Sequence, residues 1–217
     1  MKNLKNIAVV LVAMVLSFSA IAQNAFEGEI RVTTSNKDLN ETATVNLMLK
    51  GGNTKMVFNT VTKGEAYTYT IIINANNSLN AVMLTEAQGK KARYDIPLSS
   101  LNNPALAIYY KFTETGVTES AIGYTTNQVV IEAPGTTTMC KVADVKGLKP
   151  ADLPLMFKMG GVMKAFADKN YNGIPLSITT LDSRTGDIKF TQNIESITPR
   201  PIGDNEFVVG TEWVKPN

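Results

Sequence analysis

Residues 26–61 read "FEGEIRVTTSNKDLNETATVNLMLKGGNTKMVFNTV", and the period of this stretch decides the fold. Phe26, Gly28, Ile30 and Val32 fall on one face, while Glu27, Glu29 and Arg31 fall on the other. Alternation every second residue is the mark of a half-buried strand. "TATVNLMLK" repeats it, with Ala43, Val45, Leu47 and Leu49 in phase, and "GGN" turns the chain into "TKMVFNTV". Working outward, "EAYTYTIIIN" and "LNAVMLTE" follow, divided by the turn-rich "NANNS". Each run is rich in β-branched or aromatic residues and bounded by Gly, Asn or Asp, as strands are. Breaks this short imply antiparallel neighbours.

The second half continues in the same manner. "AIGYTTNQVVIE", "APG" and "TTTMCKVADV" read as a hairpin, and "IPLSITTLD", "SRTG" and "DIKFTQNIESI" as another. The latter turns over Asp182–Asp187, with Gly186 in the positive-φ position. "EFVVGTEW" reads as a last strand. The middle stretch "YDIPLSSLNNPALAIYYKF" is irregular, with a short helix over Ala105–Tyr110. One segment, "PADLPLMFKMGGVMKAFADKN", has helical period. Leu155, Met156, Met159, Val162, Met163 and Phe166 recur at three- and four-residue steps along a helix over Asp152–Lys169. Gly160 and Gly161 weaken that helix by about 1 kcal/mol each relative to alanine. The stripe has two readings. It is an ordinary core-facing helix, or it is a lid whose methionines adapt to an irregular apolar ligand. The chain carries no internal repeat and no low-complexity linker.

The chain opens "MKNLKNIAVVLVAMVLSFSAIAQN". Lys2 and Lys5, the apolar run Ile7–Phe18 and the small-x-small site Ala20-Ile21-Ala22 follow the order of a secretory signal peptide. The run is shorter than the about 20 residues a spanning helix needs. The expectation is therefore a signal peptide over 1–22 and one domain over 23–217, exported to the periplasm or beyond and free of a membrane anchor. Lys2 and Lys5 belong to the leader, and they account for the excess of 21 Lys and Arg over 19 Asp and Glu. A mature chain of zero net charge does not point to nucleic acid as a partner.

Cys140 is the one cysteine, so no internal disulfide can form. In "TTTMCKV" it shares a strand face with Thr138 and Val142, and Lys141 lies on the other face. The reading is a buried thiol acting as a small hydrophobe. The chain has no histidine, which removes Ser-His and Cys-His nucleophile pairs and histidine-based metal sites. "TLDSRTGD" is the best acidic cluster, but Arg184 within it would repel a cation. No phosphate-binding glycine motif is present. These absences suggest no cofactor, no metal and no catalysis.

The C-terminal third, "GIPLSITTLDSRTGDIKFTQNIESITPRPIGDNEFVV", resembles the closing section of bacterial lipoprotein carriers of the LolA/LolB type. Gly173, Pro175, Leu176, Gly186 and Phe207 are the matching positions. The whole mature chain is similar to the exported domain-of-unknown-function family 4412. Its "F-E-G-x-I" opening corresponds to Phe26–Ile30, its "G-Y" strand to Gly123-Tyr124, and its helix before "G-x-P-L" to the segment after Lys149. The chain departs from that family's pattern at "TTNQ", where a cysteine is common, and near Met139 and Cys140, where a tryptophan is. The resemblance implies a mainly β, α+β fold: an open, curved antiparallel sheet, or half-barrel, with a helix on its concave side. It implies an apolar groove there, suited to a lipid, acyl chain or other apolar small molecule. On this reading Leu155, Met156, Met159, Met163 and Phe166 line the ligand as a lid. The alternative is an envelope structural or protein-interaction module whose interior is filled by its own side chains.

Overall fold

The computed structural model describes residues 26–75, 80–87, 89–97, 110–148, 166, 169 and 171–215. Within them lie β1 (Gly28–Asn36), β2 (Glu41–Lys50), β3 (Asn53–Thr62), β4 (Glu65–Ile73), β5 (Asn80–Ala87) and β6 (Lys90–Pro97). After these come β7 (Lys111–Ala121), β8 (Tyr124–Ala133), β9 (Thr136–Ala143), β10 (Ile174–Asp182) and β11 (Ile188–Pro199). All belong to one open antiparallel sheet, in the order β6-β5-β4-β3-β2-β1-β11-β10-β9-β8-β7. The chain enters at the middle of the sheet and steps outward to one edge at β6. It resumes at the opposite edge as β7 and steps back until β11 pairs with β1.

Tight hairpins set this path. Gly51-Gly52 (φ 54° and 84°), Lys63-Gly64 (52° and 85°) and Ile122-Gly123 (43° and 85°) are two-residue loops with both φ values positive. This conformation matches the right-handed twist of the flanking strands. The Asp182–Asp187 turn is as the sequence predicts, with Gly186 at φ 77° and its N–H donating to the Asp182 carbonyl at 2.8 Å.

The inner face of the sheet carries one continuous apolar cluster. Ile30, Leu47, Met56, Ile71, Val129, Cys140 and Leu176 are buried in it, and the edge strands add the half-buried Ile96 of β6 and Phe112 of β7. Every strand contributes. Two glycines allow close packing around it. A Cβ on Gly28 would sit 2.5 Å from the Thr198 carbonyl oxygen, and one on Gly173 would sit 2.6 Å from Val142 Cγ1. The glycines of "FEGEI" and "GIPL" are therefore places where backbone and neighbour meet too closely for any side chain.

The outer face is covered in part. Ile72, Val82 and Leu84 point away from the inner cluster and form a second one with Ile202 and Phe207. "III" at 71–73 is apolar throughout, not alternating, because that end of β4 is buried on both faces. Residues 200–215 cross β1 to β6 as a strap. Lys50 pairs with Asp204 at 2.9 Å and Lys55 with Glu206 at 2.7 Å; Arg200 pairs with Glu29. The Glu27 carboxylate accepts from the Ile202 N–H at 2.7 Å. "EFVVGTEW" is thus not the strand its composition suggested. Asp204–Phe207 is a 3-10 turn, and only Val214 bridges the sheet, beside Ala92. The reason is topological: β11 has already filled the vacancy beside β1, leaving no central edge for another strand.

The expected helices over Ala105–Tyr110 and Asp152–Lys169 lie outside the described residues, apart from Tyr110, which is not in a helix, and Phe166 and Lys169. The open antiparallel sheet agrees with expectation. Two of its strands, β6 and β7, had no counterpart in the sequence reading. β7 is exposed along nearly its whole length, so its sequence lacks the apolar alternation by which strands are recognised.

Candidate functional site

Four cross-strand rows on the inner face of β1 to β4 form a gradient from apolar to polar. The first row is Ile71–Met56–Leu47–Ile30 and the second Tyr69–Phe58–Val45–Val32. The third is Tyr67–Thr60–Ala43–Thr34, extended onto β11 by Gln192. The fourth is Glu65–Thr62–Glu41–Asn36. Strand alternation places all four rows on the same face.

The polar end is buried without being satisfied. Thr60 is 1% exposed, Gln192 2%, and Glu41 and Tyr69 8% each. Thr60 Oγ1, Thr62 Oγ1, the Tyr69 hydroxyl and Gln192 Nε2 have no hydrogen-bond partner among the described residues. Such groups cost about 1–3 kcal/mol each when desolvated and unpaired. Tyr69 is held by its ring, which stacks on Phe58 with centroids 4.5 Å apart and planes 9° from parallel. Burial raises its pKa first of all; the neighbouring Thr60 hydroxyl lowers it, and the Glu41 charge raises it again. Burial likewise raises the Glu41 pKa above the ordinary carboxylate value. Glu41 has no ion pair or side-chain hydrogen bond among the described residues.

Of the residues expected to line a ligand, Leu155, Met156, Met159 and Met163 lie outside the described set, and Phe166 is fully buried in the inner cluster. Phe166, Phe112 and Tyr171 form an aromatic trio with all three centroid distances at 5.5 Å. The Tyr171 N–H donates to the Phe166 carbonyl at 3.0 Å. Cys140 is fully buried between Val129 and Ile178, and burial pushes its thiol pKa up to about 12. Lys141 points the other way, to Glu119. The thiol is inert packing.

A cleft of about 540 Å³ lies on the opposite, outer face. Its walls are two rows of short side chains, with Thr33, Thr44, Asn59 and Thr68 in one and Ser35, Thr42, Val61 and Ala66 in the other. The backbone of the third inner row is its floor. It is hydroxyl-lined, unlike the apolar groove the sequence led us to expect. Among the described residues, no group of acidic or cysteine side chains could hold a metal, and no helix is long and apolar enough to cross a membrane.

The sequence reading missed Glu41, Thr60, Thr62, Tyr69 and Gln192. The signal was present. Each sits in the apolar phase of its strand: Glu41 with Ala43 and Val45, Thr60 with Met56 and Phe58, and Gln192 with Ile194.

No curated protein matches the chain. Among solved structures, an uncharacterized conserved protein from Thermus thermophilus is similar over 97% of this chain and 99% of its own, at 9% identity and a TM-score of 0.50. At that identity the likeness concerns fold alone. PNGF-II is 14% identical over 84% of this chain, with a TM-score of 0.40, and this chain spans 29% of PNGF-II. The LolA superfamily protein NE2245 from Nitrosomonas europaea is 8% identical over 94% of this chain and 97% of its own, with a TM-score of 0.30. Neither score is high enough to argue a shared fold. The family model described as "Domain of unknown function (DUF4412)" matches residues 26–213, nearly the whole described chain, and the protein belongs to that family.

Proposed function

We propose that the protein is an exported, non-enzymatic binding protein that holds a lipid-like molecule against the inner face of its sheet. One observation carries this reading: a continuous apolar face ends in a patch of buried polar atoms that no described residue satisfies. Buried polar groups are nearly always paired, so an unpaired group points to a missing partner. Apolar walls with a few convergent polar groups are the usual composition of a small-molecule site. On this proposal the sheet curves as a half-barrel. The stripe of Leu155, Met156, Met159, Met163 and Phe166 lies on a helix that lids the groove. Cleavage after Ala22 releases the protein without an anchor. The absence of histidine and the inert thiol support binding over catalysis.

Native mass spectrometry tests the proposal on protein purified from its own cell envelope, followed by lipid extraction. The expected result is an added mass of lipid size that extraction removes. A bare protein mass, together with no uptake of an apolar dye, would leave the structural module with a filled interior instead.

A further inference from the structure

We infer that the ligand's head is uncharged and bears hydroxyl groups, and that it lies among Glu41, Thr60, Thr62, Tyr69 and Gln192. This rests on the binding function proposed above and concerns which lipid-like molecules the site accepts. The atoms awaiting a partner are three hydroxyls and one amide nitrogen. The hydroxyls can donate or accept, whereas the Gln192 amide nitrogen only donates. Gln192 Nε2 needs an acceptor, and the Glu41 carboxyl, with no side-chain hydrogen bond among the described residues, takes a donor; a hydroxyl serves both. An ammonium has no acceptor to offer Gln192.

Charge argues the same way. Glu41 is the buried acid at this end of the inner face, Glu65 of the same row being exposed and bonded by the Tyr67 hydroxyl, and among the described residues no cation pairs with Glu41. A carboxylate or phosphate head would place a second anion next to it in a poorly solvated site, a pairing that forces one group to stay protonated. A cationic head would have to shed its water among buried hydroxyls, and it offers the Gln192 amide nitrogen no acceptor. An uncharged polyol carries neither penalty. The spacing suits a head of several hydroxyls. Thr62 is directly opposite Glu41, Thr60 lies two residues along the same strand, and Tyr69 lies diagonally across from Thr60 on the next strand. Gln192 lies three strands from Thr60, roughly 14 Å along the sheet at ordinary strand spacing. Ala43 and Thr34, the two residues between them, are short. The tail would then run along the second and first rows, over Phe58, Val45 and Met56.

The test uses the full mature chain loaded with the apolar dye N-phenyl-1-naphthylamine. Three competitors share one oleoyl-type tail and differ in the head: monooleoylglycerol, oleate and oleylamine, each below its micelle concentration. Monooleoylglycerol is expected to displace the dye at concentrations about tenfold lower than the other two, the scale expected when a site's buried polar groups discriminate. In Glu41→Gln, oleate should gain several-fold and monooleoylglycerol should change by less than about twofold, because only the anion was repelled. Thr60→Val supplies a reading that a structural role would not give. Its melting temperature should hold or rise, because an unpaired hydroxyl is gone, while monooleoylglycerol binding weakens. Equal displacement by all three heads, a preference for oleate or oleylamine, or unaltered monooleoylglycerol binding in Thr60→Val would each overturn the inference and leave the binding function standing. A wild type that takes up neither dye nor competitor would remove both.

Discussion

Single residues show how far alternation alone can be trusted. It placed Cys140 correctly, because a thiol in phase with Thr138 and Val142 has only one face to occupy. Cys140→Ala should cost about 1 kcal/mol and Cys140→Ser more, since serine buries an unpaired hydroxyl. The native thiol should resist a maleimide until the protein unfolds, and rapid labelling would contradict the packing described. Glu41 and Thr60 are in the same phase as the inner-face residues of their strands, yet the sequence reading passed over them, because a polar residue there reads like an ordinary strand end until burial is known. Asp182 offers a test by pH. It accepts from Lys189 Nζ at 2.9 Å and from the Arg184 and Thr185 backbone N–H groups, and these bonds hold its pKa down at about 2. A carboxylate depressed in the folded state contributes stability above its unfolded pKa, near 4, and that contribution is lost as pH falls through about 2. Asp182→Asn should therefore melt below wild type at neutral pH, and the gap should close between about pH 4 and pH 2. A gap that persists at pH 2 would place the effect elsewhere in the turn.

Among the elements, legibility followed burial. β1 to β4 could be read because one face of each is apolar, and β10 and β11 because an Asp–Gly turn separates them. β7 could not, being exposed on both faces, and its turn was absorbed into the strand that follows. That turn is itself unusual. Ile122 sits at φ 43°, where a β-branched side chain crowds its own backbone, and the residue is exposed. Ile122→Asn should stabilise the protein by about 1 kcal/mol, because asparagine is favoured at the first position of this turn. Chemical denaturation would show it as a higher midpoint at unchanged slope. Phe207 of the strap is the contrasting case. It is buried against Val82 and Leu84, whereas its neighbour Val208 is 68% exposed. Phe207→Ala should cost about 3–5 kcal/mol, and Val208→Ala should stay within about 0.5 kcal/mol of wild type. Equal effects would mean that the strap only rests on the sheet.

At the scale of the molecule, the antiparallel meander was legible from the short breaks between runs, and the strand order was not. Nothing local in "FEGEI" says that it will pair with the last strand of the chain, nor that the sixth and seventh strands will occupy opposite edges. Those facts depend on which edge is free when each strand arrives. The seam between β1 and β11 joins partners as remote as Gly28 and Pro199, which are 171 residues apart. The other pairings in the sheet join consecutive strands. The protein can therefore assemble as two stacks of fast, local hairpins, followed by one slow closure, because long-range pairing must overcome the entropy of a long loop first. In any chain delivered N-terminus first, β1 presents an unpaired edge until the final strand emerges. Such an edge is a template for pairing with other chains. The same central seam that makes the sheet continuous thus gives the nascent chain a window of vulnerability that spans almost its whole synthesis.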